Sequence, residues 1–183
     1  LEVQVQLDKK GRGLVQVFTG EGKGKTTAAL GTILRAAGHG LKIFVIFFIK
    51  GDYAYGEYKT LAALPGVKLA SFGLRQFIYK DRGINPEEKK QAQAALAAAR
   101  EAVNSGRYDL VVMDEIIMAL DFKLIAMDDV LDLIKHKPSH VELILTGRRA
   151  DARLIEAADL VTDMVNVKHP FDKGVKARPG IEY

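Results

Sequence analysis

Residues 19 to 27 read Thr-Gly-Glu-Gly-Lys-Gly-Lys-Thr-Thr, and these residue types at this spacing can hold phosphate. Gly20, Gly22 and Gly24 let consecutive backbone N–H groups turn towards phosphate oxygens, with Glu21 and Lys23 between them. Lys25 adds an ammonium for the phosphate charge, Thr26 a hydroxyl for Mg²⁺, and Thr27 continues into the next element. The stretch Gly20 to Thr27 is therefore predicted to bind a nucleoside triphosphate, with Lys25 as its catalytic cation. The pattern Gly-x-x-x-x-Gly-Lys-Ser/Thr is missed only at its first glycine, where Thr19 stands, so this is a variant P-loop.

Such a loop works only between a strand and a helix, and both flanks are present. Leu14 to Phe18 is a short apolar, β-branched run, and Thr27 to Ala37 has helix formers with apolar spacing of three and four before Gly38-His39-Gly40. A second strand is read from Leu41 to Ile49, buried on both faces, and a shorter one from Gly66 to Phe72. Gly73 to Asn85 reads as loop. Asn85-Pro86-Glu87-Glu88 is a helix start, with Asn as cap and Pro at the first helical position, leading an Ala-rich helix to Asn104.

Tyr108 to Glu115 is a strand whose apolar body ends in two carboxylates, Asp114 and Glu115. An acid across from the phosphates is needed to hold Mg²⁺ directly or through water, so Thr26, Asp114 and Glu115 are the metal candidates. Only one acid need touch the metal, and the spacing leaves open which. A helix at Asp128 to Ile134, a strand at Val141 to Thr146, a helix at Asp151 to Ala158 and a strand at Leu160 to Thr162 complete the alternation. Alternating strands and helices imply a mostly parallel sheet with helices on both faces: an α/β, RecA-like P-loop NTPase fold. The P-loop, Lys50-Gly51, Asp114-Glu115 and Thr146-Gly147-Arg148 should all collect at the C-terminal edge of that sheet.

The chain has 183 residues, which suits one domain, read as 14 to 183 behind an extension at 1 to 13. It has no cysteine, which excludes disulfides, thiolate metal sites and a cysteine nucleophile. The formal charge of +4 is spread along the chain and does not argue for nucleic acid. No stretch is long enough to span a bilayer, and residues 1 to 13 lack the apolar core of a signal peptide, so a cytoplasmic location is expected. No histidine pair has ligand spacing on a helix; His39 shapes a turn, His136 and His140 read as surface residues, and His169 could line the site.

Gly20 to Ala29 closely resembles the P-loop of the P-loop-type ATP:corrinoid adenosyltransferases. The likeness continues through Arg35 to Gly40, Phe48 to Gly51, Gly56-Glu57, Asp114-Glu115 and Thr146 to Arg148. It ends in the tail Val167 to Ala177 and Gly180 to Tyr183, which has no general P-loop role and is the most family-specific part. The resemblance implies transfer of the 5′-deoxyadenosyl group of ATP to Co(I) of a reduced corrinoid, with triphosphate leaving. It also implies a nucleotide lying in the loop with reversed polarity, C5′ towards the corrinoid.

Family members carry Phe-x-Trp in the segment matching Phe72 to Arg82, held to occupy the lower axial face of the corrin. Phe77 and Tyr79 are the counterparts here and so the candidate corrinoid-binding residues. The implied substrates are ATP and cobalamin or a corrinoid precursor, with Mg²⁺ as cofactor. The implied partners are a reductase or reduced flavin protein as electron source and a second copy in a homodimer. Family members carry a helical N-terminal extension, whereas Leu1, Val3, Val5 and Leu7 alternate like a strand. Two other readings stand beside this one: a RecA-like ATPase coupled to nucleic acid, and a non-catalytic nucleotide- and corrinoid-binding module.

Overall fold

The computed structural model describes residues 11–51, 55–74, 83 and 85–183, so Phe77, Tyr79 and the alternating segment near the start lie outside the described residues. The apolar runs form β1 (Val15–Thr19), β2 (Ile43–Phe47), β3 (Val67–Ser71), β4 (Leu110–Asp114), β5 (Glu142–Thr146) and β6 (Leu160–Asp163). They make one parallel sheet in the order β3-β2-β4-β5-β1-β6. This is the expected α/β P-loop architecture. β5 lies between the P-loop strand β1 and the acid-bearing strand β4.

The helices are α1 (Lys25–Gly38), α2 (Gly56–Ala63), α3 (Pro86–Asn104), α4 (Ile116–Asp121), α5 (Met127–His136) and α6 (Ala152–Ala157). Because successive strand residues point to opposite faces, β4 feeds two cores. Val111 and Met113 pack with α3, α4 and α5, while Leu110 and Val112 pack with Ala29 and Ile33 of α1 and Leu61 of α2. Both faces of the sheet are covered, as a parallel sheet demands. α1 buries Lys25, Ala29, Ile33 and Ala36 along one stripe, and cutting the fully buried Ile33 back to Ala would cost about 2–5 kcal/mol. No helix of the described residues is long and apolar enough to cross a membrane.

The structure departs from the sequence expectation at two strand ends and in two short helices. β2 stops at Phe47, because Ile49 takes a left-handed φ of 52° and turns the chain, although Phe48 remains buried. β4 stops at Asp114, because Glu115 turns left-handed with φ 63° and starts α4 at once. α4 was hidden because it has only six residues and follows the Asp114-Glu115 pair without a loop, too short for a helical period to show. α2 was hidden for the opposite reason: it starts at a glycine, and only Leu61 is buried along it, so no helical period shows. The start of α3 is as expected, with Asn85 Oδ1 accepting from Glu87 N at 2.9 Å.

Register brings the strand ends level. Phe18 pairs with Thr146, Thr19 with Asp163, and Phe47 with Asp114. Phe48 N donates to Asp114 O at 2.9 Å and Met164 N to Thr19 O at 2.8 Å, extending the ladder past the strands. The candidate site residues at the ends of β1, β4 and β5 therefore share one edge.

Candidate nucleotide site at the sheet edge

β1 ends at Thr19, and the chain then turns through Gly20 (φ 102°) and Gly24 (φ 126°) into α1. α1 has no side-chain cap and no acidic residue in its first turn, so its N–H groups and its positive dipole end are available to an anion. Gly22 N donates to Met164 O at 2.6 Å, and a Cβ at Gly22 would also lie 2.6 Å from that oxygen. The loop is thus glycine-rich partly because the segment after β6 packs against its back. Thr19 has its own explanation: its buried hydroxyl accepts from Ala150 N at 3.1 Å and ties the loop after β5 to the start of the P-loop.

Lys25 is buried, and its ammonium donates to Gly22 O at 2.6 Å, which folds it back across the loop. Burial, then the nearby Arg148 charge, pulls its pKa below the ordinary lysine value. Triphosphate oxygens at the loop would give it the counter-charge it lacks. Lys23 faces away from the loop interior: its ammonium bonds Ile181 O at 3.0 Å and Glu182 Oε1 at 2.9 Å. Glu21 is held at the rim by Arg149 Nε at 3.2 Å and Arg148 Nη1 at 3.4 Å. Thr27 is exposed on α1.

Asp114 stands opposite. Its Oδ1 accepts from Thr26 Oγ1 at 2.9 Å and from Thr146 Oγ1 at 2.6 Å, and Thr146 Oγ1 accepts in turn from Glu115 N at 2.9 Å. One hydroxyl on β5 therefore fixes both the acid and the turn that follows it. Asp114 Oδ2 is buried, and the Lys50 ammonium lies 2.6 Å away as its counter-charge. Burial works against the charge on Lys50; Asp114 and Glu115 more than offset it and hold Lys50 above the ordinary lysine value. Glu115 has no such partner among the described residues, and burial, then repulsion from Asp114, pushes its carboxyl up to about 7.

The structure thus brings together Gly20 to Thr26 and Asp114, with Glu115 alongside. Two further groups, Lys50 and Thr146, were placed at this edge by the sequence with no partner assigned. Their signal was position alone, each at or just past the end of an apolar strand. His39 caps α1 through its backbone, donating to Ala36 O at 3.1 Å. His169 Nδ1 accepts from Phe171 N at 3.1 Å within the tail's own turn. No cluster of three or more His, Cys, Asp or Glu side chains suited to a metal occurs among the described residues. Any cation here must rely on phosphate and water for most of its ligands.

Beside Gly22 and Lys23, the tail closes a cavity of about 420 Å³ lined by Val167, Phe171, Arg178 and Glu182 among others. Hydrogen bonds from Arg178 and Lys23 hold the Glu182 carboxyl down at about 2.

The chain matches the family described as ATP:corrinoid adenosyltransferase BtuR/CobO/CobP over residues 11–183. A corrinoid adenosyltransferase of Sinorhizobium sp is 38% identical over 173 residues, covering 94% of this chain and 81% of that protein. Corrinoid adenosyltransferase CobA of Salmonella typhimurium is 35% identical over 190 aligned positions, covering 100% of this chain and 92% of its own length. The corrinoid adenosyltransferase of Escherichia coli strain K12 is 36% identical over 172 residues, covering 94% and 86%. With the P-loop, the acid and the tail all inside the matched span, this chain belongs to the ATP:corrinoid adenosyltransferase family.

Proposed function

We propose that the chain transfers the 5′-deoxyadenosyl group of ATP to the cobalt of a reduced corrinoid, cobalamin or a precursor. Co(I) supplies an electron pair to C5′, the C5′–O5′ bond breaks, and that bonding pair leaves with triphosphate as cobalt becomes Co(III). No amino-acid nucleophile is required, which suits a chain without cysteine. The protein's task is to stabilise negative charge growing on the leaving triphosphate, and preorganised donors do this without reorganising. The N–H groups from Gly20 to Thr26, the dipole of α1 and the Lys25 ammonium fill that role.

The observation that carries this reading is the meeting of the α1 N-terminus, Lys25 and the Thr26–Asp114 pair, 2.9 Å apart, at one sheet edge inside the family match. Thr26 and Asp114 also fit Mg²⁺, since both offer hard oxygen donors and Thr26 Oγ1 stands 2.9 Å from Asp114 Oδ1. When bound, Mg²⁺ supplies further charge neutralisation to the triphosphate. Glu115 is better suited to a water-bridged position, because an ionised carboxylate beside Asp114 is disfavoured.

Phe77 and Tyr79 are the proposed corrinoid contacts on its lower axial face. The reading extends to a homodimer, a cytoplasmic enzyme, and a separate reductase or reduced flavin protein that makes Co(I). Mixing the protein with ATP, Mg²⁺ and chemically reduced cob(I)alamin should yield a light-sensitive Co–C product and triphosphate. Release of ADP or phosphate without that product would overturn the reading in favour of an ATPase. Phe77→Ala and Tyr79→Ala should impair reaction from Co(II) substrate more than from Co(I); equal loss with both would indicate packing alone.

A further inference from the structure

Lys50 lies 24 residues beyond the P-loop threonine in sequence, yet its ammonium sits 2.6 Å from Asp114 Oδ2 and 4.0 Å from Glu57 Oε1. Its side chain is only 11% exposed, and the ammonium stands 5.2 Å from the Phe47 ring centre and 4.9 Å from that of Tyr55. Asp114 Oδ2 is buried, and this ammonium is its direct electrostatic partner. Oδ1, by contrast, is turned to the Thr26 and Thr146 hydroxyls.

The backbone that delivers Lys50 is built against local preference. Ile49, a β-branched residue, is left-handed at φ 52°, and Gly51 follows at φ 56°. The turn is clamped from β3: Ser71 Oγ donates to Gly51 O at 2.6 Å, and Gly51 N donates to Phe72 O at 3.0 Å. Gly73 completes the clamp, since a Cβ there would lie 2.7 Å from the Ile49 carbonyl carbon. A β-branched residue persists in this region only where its surroundings over-determine it, and such residues cluster at working sites. Stability does not explain the arrangement, because a buried ion pair gains little over an apolar pair of similar size.

We propose that Lys50 is a positioning residue for the nucleotide's metal: it holds Asp114 by Oδ2 so that Oδ1 stays aligned with Thr26. This rests on Asp114 being the metal-side acid, as read above. Lys50 then acts on metal-dependent nucleotide binding through Asp114, while the P-loop alone governs binding without metal.

The test compares wild type, Lys50→Gln, Lys50→Arg and Asp114→Asn as full chains, each checked for folding by circular dichroism. ATP affinity is measured with Mg²⁺ and with EDTA, and Mn²⁺ binding to the ATP complex is followed by electron paramagnetic resonance. In Lys50→Gln the tightening of ATP by Mg²⁺ should fall at least about tenfold, with EDTA affinity within about twofold of wild type and weaker Mn²⁺ binding. Lys50→Arg should restore most of the effect, since it keeps the charge. Retention of the Mg²⁺ effect in Lys50→Gln, with its loss in Asp114→Asn, overturns the role of Lys50 alone. Equal weakening with Mg²⁺ and EDTA also overturns it, by showing that Lys50 touches the nucleotide directly. Retention in Asp114→Asn removes the underlying reading of the acid instead. If Lys50→Gln does not fold, the Lys50 Cε resonance of wild type decides: it should shift when Mg²⁺ joins the ATP complex, and an unmoved resonance overturns the proposal.

Discussion

The two sides of the P-loop are held in opposite ways. On the sheet side, Asp114 is 1% exposed and Thr146 0%, and their side-chain oxygens face groups from other elements. On the tail side, Val167 is 90% exposed and Phe171 75%, and most bonds run between near neighbours, such as Arg178 to Glu182. The tail reaches the loop through Gly22 N to Met164 O and through Lys23 to Ile181 O and Glu182. The sheet side is therefore preorganised before any ligand arrives. The tail buries little apolar surface, so less packing opposes its local opening.

That contrast breaks first at Lys25. Lys25→Ala should lower the rate of Co–C product formation about 100-fold or more, the scale of losing one preorganised charge-stabilising donor. Phe171→Ala, on the exposed tail, should leave the unfolding midpoint almost unmoved by comparison. If Lys25→Ala keeps more than a tenth of the rate, the loop is not the main stabiliser of the leaving group.

Gly22→Ala probes the seam between the two sides. Its Cβ would meet Met164 O at 2.6 Å, so a cost of about 1–3 kcal/mol in urea unfolding is expected, with weakened ATP binding. A cost near zero would mean that the tail yields freely and does not support the loop.

Glu115 sharpens the sheet side through pH. Its carboxyl is raised to about 7 in the fold, above its unfolded value, so it is protonated at pH 5 and must ionise in place as pH rises through 7. The nucleotide-free protein thus loses stability over that window. Glu115→Gln should remove the loss, gaining on the order of 1–3 kcal/mol over wild type at pH 8 and much less near pH 4. An advantage independent of pH would show that the acid is not repelled by Asp114.

The smallest effect is expected at the rim. Lys23→Ala breaks a surface pair, so the melting midpoint at physiological salt should change by no more than about 1 °C. A larger drop would promote the tail from an exposed covering to a structural part of the loop.

Much of this was legible before any coordinates. The strands at 15–19, 110–114 and 142–146 were visible as apolar runs because a parallel sheet buries both faces. The end of β4 in Asp114-Glu115 marked the acid side of the site. What periodicity could not find was α4, six residues set directly after Asp114-Glu115, or α2, which has almost no buried face. Lys50 and Thr146 were visible as positions and not as partners, since nothing local in the sequence says which of the strand-end groups will meet.

The sequence by itself showed the P-loop pattern, because a phosphate cradle is made by contiguous backbone and needs only glycines, Lys25 and Thr26 in order. Its likeness along the chain to the corrinoid adenosyltransferases likewise required no coordinates. Only the tertiary structure decided which acid is engaged and by what, because the Thr26–Asp114–Lys50 line joins α1, β4 and the turn after β2 across a sheet. Those contacts depend on strand order and register, and these are set by packing across the whole fold.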